Sequence, residues 1–187
     1  MTTRYSPTAQ FQGNPSDADG FKSCGAYSFA VCTDAASLGG CVPSGHAIRA
    51  LTDENIPDPN DPGLTIPQLI AAVRRYGMVM EDRSGQKWAG VMADLKAERM
   101  LSISTLYSGL RPYTQQASAD FGHQVTIGRI DATGQSVMLY DPLSRAKTGR
   151  WVPLATVRRA MEQWGARTGM APGQTRYARS RRIPFLA

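Results

Sequence analysis

The sequence predicts a single α+β domain over residues 1–187, with helices in the amino-terminal half packed on an antiparallel sheet built from the second half. Three observations lead there. A chain of 187 residues, 42% hydrophobic and 19% charged, is about one domain long and buries a core without a disulfide scaffold. Apolar residues recur at helical intervals between Cys24 and Glu98 and in short β-branched or apolar runs from Met100 onward. The later runs are joined by short turns, which suit antiparallel neighbours and not crossovers.

Taken in order, residues 1–23 hold Pro, Gly, Asn, Asp and Ser at turn spacing and form a loop-rich arm. At Cys24 the pattern changes: GAYSFAVCTDAASL supplies apolar residues at helical intervals before the Gly39-Gly40 stop, a mostly buried helix that starts at or near Cys24. A turn-rich stretch follows, with His46 in the loop SGH and a Pro-Asp-Gly cluster at NIPDPNDPG. Thr65 caps IPQLIAAVRRYG, whose Ile66, Leu69, Ile70 and Val73 share one face, with Gly77 as its stop. Another helix fits Gln86 to Glu98, with Trp88, Val91, Met92 and Leu95 on one side. Strands follow at MLSISTLY, HQVTIGRI and SVMLYDP, the last two joined by DATGQ with its glycine at the tip. A short GRWVP strand and a helix from Leu154 to Trp164 come next, and the basic tail of residues 166–187 could close the sheet as an edge strand.

Eighteen glycines and twelve prolines describe a loop-rich soluble globule, neither a coiled coil nor a disordered tail. No apolar run approaches the ~20 residues that span a bilayer. The first residues, MTTRYSPTAQFQGNPSDADGF, lack the apolar stretch of a Sec signal peptide. The expectation is synthesis in the cytoplasm, with delivery by other means if the site of action is outside. The net charge of +6 is concentrated in one quarter: residues 1–143 carry −3 and residues 144–187 carry +9. Arg158, Arg159, Arg167, Arg176, Arg179, Arg181 and Arg182 offer a surface for an anionic partner. The competing reading is a solvated helix face and a charge-protected edge strand. The motif and aromatic interleaving of a nucleic-acid binder are missing.

Three cysteines, Cys24, Cys32 and Cys41, cannot all pair within the chain, and their spacing with His46 matches no zinc pattern. The odd count points to one cysteine kept for reactivity. Cys24, at a helix start, sits where free backbone amides and the helix dipole favour a thiolate and can also hold an oxyanion. Cys32, eight residues further on, reads as a small apolar core residue. A thiolate nucleophile needs an imidazole, and His123 begins the strand after Gly122. Across the hairpin, Asp141 is expected level with His123, where a carboxylate fixes the imidazole tautomer and supports its charge. The Asp141-Pro142 pair equally reads as an Asx turn, and one aspartate can do both. An oxyanion donor is expected upstream of the nucleophile: Gln12 first, Gln10 second.

Taken together, Gln12, the segment CGAYSFAV and the segment GHQVTIGRIDATGQSVMLYDPL resemble the papain-like cysteine peptidases of the C39-like group, over about residues 10–165. The resemblance implies a papain-like α+β fold and thiol-dependent hydrolysis of a peptide or isopeptide bond. It implies Cys24 as nucleophile, His123 as general base, Asp141 as orienting residue and Gln12 as oxyanion donor, with no metal or organic cofactor. Standalone relatives occur among wall-active bacterial proteins and in phages. The expected substrate is therefore the peptide stem of peptidoglycan, cut by a lysin or by a virion component at a tail tip, with a phage tail protein or anionic wall polymer as partner of the Arg-rich tail. Two other classes stay open: a non-catalytic docking protein of a phage tail that keeps the fold, and a transferase whose acyl-enzyme is intercepted by an amine.

Overall fold

Helix α1 (Cys24–Ser37) is the longest apolar helix of the amino-terminal half, and eleven of its residues are buried. It ends as Leu38 turns left-handed (φ 54°) and the Gly39 amide closes on the Asp34 carbonyl, a Schellman-type stop. In this computed structural model, residues 7, 8, 10, 23–53, 64–114, 120–146 and 148–182 are described. Helix α2 (Gly45–Asp53) follows, where the sequence suggested only turns. Its start is local chemistry: the Ser44 hydroxyl accepts from the Ala47 amide, and Gly45 leaves room for the Tyr27 ring, which lies 2.2 Å from where a Cβ would stand. Helix α3 (Ile66–Arg74) opens with the expected Thr65 cap, completed by Gln68 into a reciprocal capping box.

Among the described residues, six strands form one antiparallel sheet in the order β1-β6-β2-β3-β4-β5: β1 (Met80–Asp82), β2 (Arg99–Leu106), β3 (Gly122–Ile130), β4 (Ser136–Tyr140), β5 (Arg150–Pro153) and β6 (Tyr177–Arg182). Helix α4 (Trp88–Lys96) precedes β2, and helix α5 (Leu154–Arg167) follows β5. Alternation along the strands sorts the core into two layers. Met100, Tyr140 and Ala178 pack with α1, α2 and α3 on one face; Leu101, Ile103, Val125, Ile127, Val137 and Leu139 pack with α4 and α5 on the other.

The carboxy-terminal strand corrects one expectation. β6 is not an edge: it lies between β1 and β2, and the described edges are β1 and β5. Arg179 and Arg181 on this strand have partners within the fold. Arg179 bonds to Glu81 on β1 at 2.6 Å and to the buried Asp94 of α4, which also accepts from Tyr177 Oη. The Arg181 guanidinium donates to the Ala36 carbonyl. On α5 and near it, Arg158 pairs with Glu162, and Arg167 pairs with Asp120. Arg179 here pairs across an interior strand, which the alternation of arginines alone cannot distinguish from edge protection.

Candidate active site

Cys24 is the first residue of α1, and its thiol is half-buried. The N-cap Ser23 makes no side-chain cap, and the first backbone bond of the helix is Tyr27 N–H to Ser23 O. The amides of the first turn therefore remain without helical partners, as at any helix start. Those of Gly25 and, from the neighbouring strand, Gln124 donate to the Cys24 sulfur. A side chain at position 25 would have to displace its neighbours, because a Cβ would stand 2.8 Å from both Gln124 Oε1 and Leu69 Cδ1.

His123 is the second residue of β3 and is 2% exposed. Its Nε2 lies 2.8 Å from Asp141 Oδ1, and Asp141 is itself 4% exposed. A carboxylate only accepts, so Nε2 carries the proton toward Asp141 and Nδ1 is the nitrogen left for the Cys24 thiol, to which His123 is hydrogen-bonded. The ring is packed edge to face with Tyr107 (centroids 4.9 Å apart) and Phe121 (6.0 Å), which stack on each other. Trp164 fills the space over the preceding residue, Gly122, 2.2 Å from where a Cβ would be.

Burial alone would push the Cys24 thiol up, but the hydrogen bond and positive charge of His123, with the Gln124 and Gly25 amides, hold it below its ordinary value. For His123, burial pulls down, yet the bonds and charges of Asp141 and Cys24 outweigh it and the imidazole is pushed up to about 9. Both directions favour a thiolate–imidazolium pair at neutral pH. Cys32 behaves oppositely: burial pushes it up to about 12, as suits an inert core thiol.

The register that brings Asp141 to His123 depends on one irregularity. β3 and β4 pair Ile130 with Val137, then Gly128 with Met138 and Thr126 with Tyr140, so Arg129 is an extra residue on β3. It adopts φ 50°, the left-handed conformation of a bulge residue. Continued past Tyr140, the ladder places Asp141 opposite Val125, not level with His123 as expected, and diagonal to it on the same alternation set. Without the bulge, Asp141 would fall opposite Thr126, which faces α1, and its carboxylate would be turned away from the ring. The Asx turn is present as well: Leu143 N–H donates to Asp141 Oδ1 at 2.9 Å, so one oxygen holds both the turn and the imidazole.

The other named residues lie elsewhere. Gln12 is outside the described residues. Gln10 uses its amide on the turn before α2, donating to Pro43 O at 3.0 Å and accepting from Gly45 N–H at 2.8 Å. That tie fastens the arm and does not serve an oxyanion. His46 stands on α2, exposed, and not in a loop. Among the described residues, no three His, Cys, Asp or Glu gather to hold a metal ion, and no helix is long and apolar enough to cross a membrane. Sequence reasoning passed over Gln124, Tyr107 and Phe121. The signal for Gln124 was a polar side chain that alternates with Thr126 opposite the apolar Val125 and Ile127.

Comparison with known proteins bears on the fold. No family model matches the chain, and no curated protein does. Among solved structures, a protein from Bacillus anthracis provisionally named a C39-like peptidase superposes with a TM-score of 0.56 at 17% identity, over 86% of this chain and 88% of that one. The α+β architecture expected from the sequence is therefore the fold of that C39-like structure.

Proposed function

We propose that the protein is a thiol-dependent hydrolase of peptide or amide bonds, with Cys24 as nucleophile, His123 as general acid and base, and Asp141 as the residue that orients and charges the imidazole. The observation that carries this reading is the continuous bonding from Cys24 through His123 to Asp141 at the start of a helix. The Cys24 thiolate attacks the carbonyl carbon, and the oxygen, now carrying the carbonyl electron pair, is received by free amides of the α1 amino terminus. His123 Nδ1–H gives its proton to the leaving amine as the C–N bond breaks, leaving a thioester. Nδ1 then takes a proton from water, hydroxide oxygen adds to the thioester carbon, and the thiolate departs. Gln12 is the proposed second oxyanion donor.

The fold likeness and the site chemistry both support a peptidase. The peptide stem of peptidoglycan, cut by a phage virion component or lysin, is the proposed substrate and setting, by analogy with standalone proteins of this type. A docking protein without turnover has no need to keep a buried imidazole bonded to both a thiol and a carboxylate, so those bonds favour the enzymatic reading. Incubating the purified protein with peptidoglycan sacculi and, separately, with denatured casein tests both levels, with new amines read by mass spectrometry and Cys24→Ala as control. Cleaved stems support the full reading. Cleaved casein with intact stems removes the wall and keeps the peptidase, and no Cys24-dependent cleavage of either removes both.

A further inference from the structure

Between α1 and the sheet lies a set of buried hydroxyls that the reaction above does not use. Ser28 Oγ is 2.7 Å from Ser102 Oγ and 2.8 Å from Thr126 Oγ1; Thr126 Oγ1 donates to the Ser28 carbonyl at 2.8 Å, and Gln124 Nε2 donates to Ser102 Oγ at 2.8 Å. Ser28, Ser102 and Thr126 are fully buried, and Gln124 is 7% exposed. Each hydroxyl has a single proton, and this fixes the direction of every bond. Thr126 spends its proton on the Ser28 carbonyl, so Ser28 must donate to Thr126. Ser28 is then spent, so Ser102 must donate to Ser28, and the Gln124 amide must donate to Ser102. The chain has one proton arrangement and runs from β3 to β2, onto α1 and back to β3.

Its first member stands beside His123. With Nε2 held by Ser102, Gln124 turns Oε1 against Gly25, and its own backbone N–H donates to the Cys24 sulfur. Apolar side chains would fill the same space without the cost of burying four polar groups. We propose that Gln124 is a positioning residue for the Cys24–His123 pair, locked by the Ser102–Ser28–Thr126 chain so that the nucleophile's helix and the base's strand keep one mutual placement. This rests on the peptidase reading.

The test is peptide-resolved alkylation of Cys24 by iodoacetamide from about pH 4 to 9, since an ordinary thiol titrates near ~8.5. Ser28→Ala and Ser102→Ala are expected to raise the midpoint by about one pH unit, the loss of one well-placed hydrogen bond to the thiolate. Ser102→Thr, which keeps a hydroxyl, should restore it. Thr33→Ala is the control, because Thr33 is equally buried on α1 but bonds only to the Phe29 carbonyl of its own helix; it should lower the melting temperature and leave the midpoint alone. Gln124→Leu, at the more exposed end of the chain, gives the same reading if a serine variant does not fold. Midpoints that match wild type while melting temperatures fall would overturn the proposal and leave the peptidase reading standing. A wild-type midpoint near ~8.5 would instead remove the thiolate pair, and the proposal with it.

Discussion

Asp141→Asn removes a charge while keeping a shape, and the structure fixes which way the new amide must face. Both donors to the native side chain, His123 Nε2 at 2.8 Å and Leu143 N at 2.9 Å, meet the same oxygen, Oδ1. Oδ2 is buried with no partner among the described residues. A carboxamide has one oxygen, and two N–H donors require it at the Oδ1 position. The imidazole tautomer therefore survives the substitution while the charge is lost and the new Nδ2–H2 group takes the buried Oδ2 position. With His123 at about 9, about 99% of the ring is protonated at pH 7; returned to the ordinary 6.5, the fraction is about 24%. The loss in productive ion pair is thus about fourfold, rising toward a hundredfold as burial draws the ring lower still. Asp141→Ala removes the acceptor itself, strands two buried N–H groups and frees the ring, and the loss should approach the ~10⁴ of a triad whose tautomer is wrong. Cys24 alkylation at pH 6 and 7 and single-turnover cleavage, run on both variants, decide the matter. If Asp141→Asn is as slow as Asp141→Ala, the carboxamide is not held as argued and the reasoning fails.

Cys24→Ala should abolish cleavage with a melting temperature within a few degrees of wild type, because it removes one half-buried sulfur at a helix start where alanine is well tolerated; a residual hydrolysis rate above a few per cent would point to another nucleophile. The rate should follow a bell in pH, rising as the lowered Cys24 thiol ionises and falling as pH passes about 9, where the imidazolium loses the proton owed to the leaving amine; an alkaline limb near 6.5 would contradict this. Arg129→Gly relieves a left-handed residue by roughly 1 kcal/mol and gives up a stacking contact on Trp151 of similar size, so urea midpoints and cleavage rates should stay close to wild type. Arg129→Val, which resists that conformation, should lower both. Gly122→Ala drives a methyl into the Trp164 ring and should cost about 1–3 kcal/mol in urea unfolding while slowing cleavage through the displaced His123; an unchanged stability would mean the indole yields freely.

Much of the scaffold was legible in the residues. The cap at Thr65, the glycine-tipped turn after Ile130 and the apolar periods of α1, α3, α4 and β2–β4 are local signals, set by hydrogen bonds and side-chain spacing within a few positions. Helix α2 escaped although Ala47, Ile48 and Leu51 recur at helical spacing, because it is only nine residues long between turn-rich stretches and its start depends on Ser44 and on a ring from α1. β1 is three residues long and is a strand only because β6 pairs with it.

The site divides along the same line. Sequence by itself picked out Cys24 at a helix start, His123 at a strand start and Asp141 before a proline, because each choice rests on the chemistry of one residue and its immediate neighbours. Tertiary structure decided how they meet. The bulge at Arg129 selects the face of Asp141, the stacked Tyr107 and Phe121 wall the imidazole, and the return of β6 between β1 and β2 brings Arg179 to Glu81 and to the buried Asp94. Those outcomes depend on register and on contacts between residues far apart in the chain, which a local pattern does not encode: a shift of one residue reverses every face of a strand while leaving its sequence period unchanged.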